Sequence, residues 1–537
     1  MTLLFIASVL VLVLLGAPLF VVMGGATALC FLLFLPDYGE LSKLTVLVQS
    51  MESLLDKPEF AAIPLFMASG AIMTTGGIAQ RLVNIARTGL CWLPGGLGVA
   101  SIVACMFFAS ISGSSPVTLI AVGSIMFPAM TNAKYPENFG LGLVTTAGSL
   151  GCLVPPSISM LFYALAVSGA SPVMPEDLFL AGLVPALFVG GLLAAYSIWV
   201  GRGIEGSSQP FSRAAFSLAV REGAWALALP VLVLGGIYSG FFTPSEAGAA
   251  ATIYALAVTG FIYRQLDLSK LRSALTEQAI LMGTLILVIV LTFSLNAFLT
   301  EVEIQTHLLA WIRAWDLGPV GFLLFVNVFL IVVGALMDSI SCTLLFAPML
   351  APIATQVFGI DPLHFGLVFV VNMEIGYLMP PVATNLFVAS AVFRKPFTQV
   401  TRAVLPTLAI TCVALVVLMY VPTVSKAAIN FKRGVPIVEH FPFDREPVFP
   451  DDPAEGDAIA TEDAPSSAPP AAASALHTAA GNLADLTAKS MEAWDDEADA
   501  GAAPAPTSAP EAPASVGAPP SNLKDLTRKA MEVWDEE

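Results

Sequence analysis

The residues of this chain whose types and spacing could do chemistry fall in four short polar breaks, each inside an otherwise apolar segment. The first is Ser112-Gly113-Ser114-Ser115-Pro116, followed by Thr118. The second runs from Gly151 through Pro155, Pro156 and Ser157 to Ser159. The third is Asp338-Ser339-Ile340-Ser341, reaching Thr343. The fourth runs from Gly376 through Pro380 and Pro381 to Thr384 and Asn385, with Asn372 and Glu374 just before it. Unwound backbone at membrane depth is tolerated only where it is buried in protein or lines a cavity. Each break would therefore present free carbonyls, hydroxyls and half-helix ends to an interior site. Carbonyl and hydroxyl oxygens suit a hard cation such as Na+. Half-helix N-termini suit an anionic carboxylate, which matters because the apolar segments place no Lys or Arg at mid-membrane depth.

Individual side chains admit more than one role. Asp338, an ionisable residue within a membrane segment, marks function by default. It reads as a cation ligand or charge compensator, or else as a structural carboxylate held by backbone N–H groups. Glu374, near Asn372, tunes the cation site or pairs within the bundle, and Thr384 and Asn385 face the same choice. Ser112, Ser114, Ser115 and Thr118 would each alone be ordinary helix–helix glue; their clustering with Gly and Pro, and their repetition, favour a binding role. Glu246, in Thr243-Pro244-Ser245-Glu246, reads as part of an N-terminal helix cap.

The elements that position these residues follow from composition. Of 537 residues 56% are hydrophobic and 12% are charged, against about 25% charged in soluble domains. The long apolar runs identify a polytopic membrane protein. Its net charge of −17 is uneven: residues 426–537 hold eight Lys and Arg against 21 Asp and Glu, leaving residues 1–425 at −4. No basic footprint for nucleic acid exists, and no GxxxxGK[ST] loop for ATP. The four histidines are scattered, and the six cysteines lack CxxC pairing and read as buried thiols. With no Lys or Arg before Lys43, the N-terminus reads as a retained first span, not a cleaved signal peptide.

Apolar segments lie near 3–35, 59–76, 96–133, 137–169, 178–200, 223–240, 243–263, 276–300, 319–357, 362–394 and 403–422. The 3–35 segment crosses once, or twice through Gly16-Ala17-Pro18. With 96–133 and 319–357 as re-entrant hairpins, and 137–169 and 362–394 as single broken crossings, the basic loop residues separate cleanly. Arg81, Arg87, Arg202, Arg213, Arg221, Arg264, Lys270, Arg272, Arg394, Lys395 and Arg402 share one side, the cytoplasmic one. Glu59, Glu176, Asp177, Glu301, Glu303, Asp316 and Asp361 fall on the other, with Arg313 the main exception. The tail would then lie outside, a placement that Lys426, Lys432 and Arg433 oppose.

The two broken regions also match. At an offset of 225, Ser114, Thr118, Gly151, Pro155 and Pro156 correspond to Ser339, Thr343, Gly376, Pro380 and Pro381; with a one-residue slip, Pro136 and Gly140 correspond to Pro362 and Gly366. The hairpins open from opposite sides, so the repeats (about 59–200 and 276–422) are inverted, an arrangement that permits alternating access. The expected fold is an all-α polytopic membrane protein of inverted repeats, each with a re-entrant helical hairpin and a broken helix.

At these motifs, and at Ala62-Ile63-Pro64-Leu65-Phe66 and Pro244-Ser245-Glu246-Ala247-Gly248, the chain resembles the large membrane (M) subunit of TRAP transporters, the tripartite ATP-independent periplasmic systems. The resemblance spans about residues 1–425. It implies an elevator-type architecture and Na+-driven import of organic anions, usually carboxylates, across the bacterial inner membrane. It also implies a separate small four-helix membrane subunit and a periplasmic substrate-binding protein, with Na+ as coupling ion and no cofactor. Carried onto this sequence, the Na+ and substrate sites fall at the two hairpin tips and the two Pro-Pro breaks. Residues 426–537 depart from the family pattern. They are rich in Pro, Ala, Asp and Glu, read as mostly disordered linker, and carry a short amphipathic unit twice, at 482–497 and 522–537. Those copies read as docking peptides or as incidental duplication. Two competing functions are a stand-alone Na+–dicarboxylate symporter of related fold and an intramembrane hydrolase. The hydrolase would need a base beside a serine or paired aspartates, and only Asp338 and Glu374 are available.

Overall fold

The computed structural model describes residues 19–34, 49, 57–169, 171–204, 208–381, 383–443 and 446–449. Residues 3–18 of the first apolar segment and both tail units lie outside the described residues. All of the described residues belong to one compact unit, residues 1–453.

No strand occurs among the described residues. In chain order the helices are α1 (Leu19–Phe34), α2 (Ala62–Thr75), α3 (Ile78–Leu90), α4 (Gly96–Ser112), α5 (Ser115–Thr118), α6 (Ser124–Asn132), α7 (Glu137–Ser149), α8 (Ile158–Val167), α9 (Pro175–Gly201), α10 (Arg213–Tyr238), α11 (Pro244–Ala257), α12 (Leu268–Glu301), α13 (Ile304–Ala314), α14 (Pro319–Leu336), α15 (Ser339–Pro352), α16 (Pro362–Gly376), α17 (Thr384–Phe393), α18 (Phe397–Tyr420) and α19 (Pro422–Arg433). Wider π-helical turns continue α5, α11 and α15. Seven described helices are long and apolar enough to cross a bilayer: α9, α10, α11, α12, α14, α15 and α18, with α11 and α15 counted through their π-turns. Val231, Ile253 and Ile280 stay exposed on α10, α11 and α12, as lipid-facing residues should.

The ends of the helices obey the capping rules. Thr243 and Glu246 close a capping box at the start of α11, Thr243 Oγ1 accepting from Glu246 N at 3.3 Å and Glu246 Oε2 accepting from Thr243 N at 2.9 Å. Glu246 thus has the capping role its spacing implied. Asp361 caps α16 by accepting from Leu363 N and His364 N.

Three helices escape a hydropathy reading. α2 turns by 72° into α3, which buries Ile78, Leu82 and Ile85 on one side while Gln80 and Arg87 stay exposed. α13 and α19 are amphipathic in the same way. Averaged over a window, their polar faces hide the apolar stripe. Their signal was the 3.6-residue spacing.

Loops assigned to one side of the membrane do meet in space. On the basic side, Arg81 Nη1 donates to Gln265 Oε1 at 2.9 Å and its guanidinium lies 3.6 Å from the Tyr263 ring centroid. There too, Gln209 N donates to Cys91 O at 2.8 Å, and Lys395 pairs with Glu137. On the acidic side, Lys57 Nζ donates to Ser168 Oγ at 2.6 Å, and Ser171 Oγ lies 2.9 Å from Thr355 Oγ1. Residues 426–449, grouped with the tail on composition, also gather here. Lys426 Nζ pairs with Asp361 and Glu439 at 2.7 Å each, Arg433 with Asp177 at 2.7 Å, and Val448 N donates to Val357 O at 3.0 Å. Lys426 and Arg433 are therefore neutralised by acids of that same end.

Candidate functional site

The four sequence breaks are breaks in the structure. α4 ends at Ser112; Gly113 takes a left-handed turn at φ 59, and Ser114 is extended before α5 starts at Ser115. The turn is closed by Ser112 Oγ and Thr118 Oγ1, 3.0 Å apart and buried, with Thr118 Oγ1 also donating to Ser114 O at 2.8 Å. A Cβ on Gly113 would stand 2.9 Å from Pro156 O, so this position needs glycine for both conformation and space. The hairpin tip thus rests on the second break, and Ile158 N donates to Gly113 O at 3.2 Å. In that break Pro155-Pro156 is cis, and Ser157 caps α8 by accepting from Met160 N while donating to Cys152 O. Gly151 lies against Ser115, where an added Cβ would be 2.9 Å from backbone atoms.

The third break is tighter than the spacing Asp338–Thr343 suggested. Only Met337 and Asp338 are extended, and α15 resumes at Ser339 because Asp338 caps it, Oδ2 accepting from Ser341 N at 3.0 Å. Thr343 Oγ1 donates to Ser339 O at 2.7 Å inside that first turn. The fourth break falls between the end of α16 at Gly376 and the start of α17 at Thr384, and contains the cis Pro380-Pro381 bond. Both of these prolines are exposed, Thr384 opens α17 half-buried, and Asn385 is fully buried. Gly376 meets Gly334 of α14, each Cβ position within 3.4 Å of the other's backbone.

These contacts bring the breaks together across the repeats. Asn385 Nδ2 donates to Ser115 Oγ at 2.6 Å, joining the fourth break to the first hairpin tip. Ser149 Oγ lies 3.0 Å from Glu374 Oε1, joining the two broken helices. Ser149 and Glu374 stand 225 residues apart, the offset that relates the repeats. Both are fully buried. Asn372 Nδ2 donates to Asn327 Oδ1 at 2.5 Å and to Val368 O at 2.8 Å.

What these residues lack is as informative. Asp338 Oδ1, Ser341 Oγ, Asn372 Oδ1, Glu374 Oε2 and Asn385 Oδ1 are buried atoms without a hydrogen-bond partner. Buried polar atoms in native proteins are nearly always satisfied, and each exception needs a cause. All five can accept, and four of them can only accept. Glu374 is the only fully buried carboxylate among the described residues, and no Lys or Arg is buried to balance it. Sequence reasoning missed Ser149, Asn327 and Ser69, the last buried on α2 beside the Ser112 turn with Oγ unpartnered. Ser149 was legible as the repeat partner of Glu374; Asn327 and Ser69 carried no signal beyond being polar within apolar helices.

A family model described as "Tripartite ATP-independent periplasmic transporter, DctM component" matches residues 6–424. Among curated relatives, the C4-dicarboxylate TRAP transporter large permease protein DctM of Pseudomonas aeruginosa is 41% identical over 410 residues, which is 76% of this chain and 94% of the relative. The Isethionate TRAP transporter permease protein DctMQ of Oleidesulfovibrio alaskensis is 38% identical over 69% of this chain and 58% of its own length. The ectoine/5-hydroxyectoine large permease UehC of Ruegeria pomeroyi is 30% identical over 78% of this chain and 96% of its own length. Among solved structures, the YdaH transporter of Alcanivorax borkumensis superposes with a TM-score of 0.53 over 82% of this chain and 99% of its own, at 15% identity; that likeness speaks to the fold alone. Large permeases of this kind work with a small membrane subunit and a periplasmic binding protein. The chain belongs to the DctM family of tripartite ATP-independent periplasmic transporters, and is a large permease of the bacterial inner membrane, not an enzyme.

Proposed function

We propose that this permease couples Na+ entry to import of a small organic anion, a C4-dicarboxylate first of all. It would do so with a separate four-helix membrane subunit and a periplasmic protein that delivers the substrate. The observation that carries the Na+ half is the set of buried, unpartnered acceptor oxygens on Asp338, Ser341, Asn372, Glu374 and Asn385. A hard cation is the ligand such oxygens suit. The anion half is supported by α8, α15 and α17, which begin at the breaks and present the positive ends of their dipoles there. The dicarboxylate preference follows the names of relatives at 36–41% identity. Alternating access would come from a unit carrying both hairpins and both broken helices, sliding in elevator fashion against a scaffold that includes α2, α3, α10, α11 and α12. Within that frame Gly113, Gly151, Gly376 and the two Pro-Pro pairs shape the site, while Ser112, Ser114, Ser115, Thr118, Ser157, Ser339, Thr343 and Thr384 line it.

The test is uptake of labelled succinate by proteoliposomes holding this chain, the small subunit and the binding protein, with and without an inward Na+ gradient. Uptake requiring both the gradient and the binding protein supports the proposal. Full uptake without the binding protein favours the stand-alone symporter, and uptake indifferent to Na+ overturns the coupling.

A further inference from the structure

A cavity of about 730 Å3 opens at the basic end of the molecule, away from the four breaks. Its walls come from the end of α3 (Arg87, Thr88, Cys91), from α6 (Pro128, Asn132) and from the lead-in to α10 (Gln209, Ser212). No Asp or Glu lines it. Arg87 reaches into it with no ion pair or hydrogen bond, and Lys134 and Arg213, exposed just beyond lining residues Ala133 and Ser212, likewise have no ionic partner among the described residues. Arg87 in the cavity wall, with Lys134 and Arg213 next in sequence to wall residues, gives this end an uncompensated positive charge that attracts an anion.

The walls are held in place without a ligand. Gln209 N donates to Cys91 O at 2.8 Å and Ser208 Oγ to Trp92 O at 3.0 Å, fixing the 208–212 segment to the end of α3. Ser212 caps α10 by accepting from Ala215 N.

The same two segments form a second, apolar groove of about 340 Å3, lined by Gly89, Trp92, Phe211 and Phe216. Trp92 and Phe211 are about half exposed, at 52% and 44%. Trp at such a position marks the depth of lipid headgroups. A cavity of mixed polar and apolar walls with an arginine and no acid, formed by the same segments as an aromatic groove, matches an amphipathic ligand on the basic side: a phospholipid with an anionic headgroup.

We propose that this cavity binds the phosphate headgroup of an anionic phospholipid of the inner leaflet, through Arg87, Lys134 and Arg213, with an acyl chain along Trp92 and Phe211. Because α6 is the outgoing arm of the first hairpin while α3 and α10 belong to its surroundings, the bound lipid would tie the two together.

The test uses the full chain purified in detergent, and reads lipid retention by native mass spectrometry beside the thermal midpoint. Phosphatidylglycerol, phosphatidylcholine and inorganic phosphate are the three probes. The proposal expects phosphatidylglycerol to bind and raise the midpoint, while phosphatidylcholine and inorganic phosphate do neither. Arg87→Gln and Lys134→Gln should each weaken phosphatidylglycerol binding about five-fold, as one surface cation contributes. Trp92→Ala should weaken it while leaving the lipid-free midpoint unchanged. Equal response to phosphatidylcholine would overturn the anionic requirement. An equal response to inorganic phosphate would assign the cavity to a soluble anion and overturn the lipid. Undiminished binding in both charge variants would remove these residues from any site. None of these readouts depends on transport, so the outcome is independent of the proposed function.

Discussion

Asp338 offers the sharpest separation between holding the fold and holding the ion. Its Oδ2 accepts from Ser341 N at 3.0 Å as the cap of α15, whereas Oδ1 is buried and unpartnered. Asn caps helices about as well as Asp, so Asp338→Asn keeps the first function and removes the charge. A unit charge about 3 Å from Na+, at an effective dielectric near 20, contributes on the order of 5 kcal/mol of attraction. An amide oxygen restores part of that. A residual loss of about 1.4 kcal/mol already raises the Na+ half-saturation constant about tenfold. Asp338→Ala adds loss of the cap, about 1 kcal/mol of stability. The assay pairs the thermal midpoint with the Na+ dependence of uptake. Asp338→Asn should leave the midpoint within a degree or two and shift the Na+ constant at least tenfold. An unchanged Na+ constant in that variant would refute the reasoning and leave Asp338 as a cap.

Further predictions address the contact between the broken helices, the close crossings and the acidic end. Ser149→Ala strips Glu374 of its hydroxyl partner and should cost about 1–3 kcal/mol, the penalty of an unsatisfied buried group, readable by denaturation in detergent. Gly151→Ala forces a Cβ to 2.9 Å from Ser115 backbone and should destabilise by about 1–3 kcal/mol. Gly191→Ala, with nothing within 4 Å, should be neutral or slightly stabilising. At Lys426, burial alone lowers the pKa, but hydrogen bonds and ion pairs with Asp361 and Glu439 outweigh it and hold it above the usual lysine value. A raised lysine pKa gives stability that is fully present below the ordinary pKa, about 10.5, and is lost as pH rises through the folded value. Unfolding midpoints compared between the wild type and Lys426→Met should therefore differ by the same amount from pH 6 to pH 9 and converge only in stronger alkali. Arg433→Ala, removing an exposed pair, should change stability by less than about 1 kcal/mol.

Hydropathy and the Gly and Pro clusters located most spans and three of the four breaks closely, because a backbone break in a membrane demands residues that water-soluble helices avoid. The third break came out shorter, since Asp338 itself restarts the helix. The offset of 225 aligns two stretches of the sequence, and applying it to Glu374 would have found Ser149. Contacts such as Asn385 to Ser115 were beyond reach, because they depend on how two distant segments cross and not on spacing within either. α3, α13 and α19 were hidden by their amphipathy. The ion pairs of Lys426 with Asp361 and Glu439, and of Arg433 with Asp177, join segments too far apart in sequence for spacing to predict.

The central claim, that Na+ and substrate move together through these breaks, is tested most directly by reversing the driving force. Proteoliposomes with equal Na+ on both sides are given an inward gradient of binding-protein-loaded succinate, and entry of radioactive Na+ is followed. Coupling requires that Na+ be carried in with the substrate against no Na+ gradient of its own, and that Asp338→Asn weaken this co-movement. Succinate uptake with no accompanying Na+ entry would contradict the account.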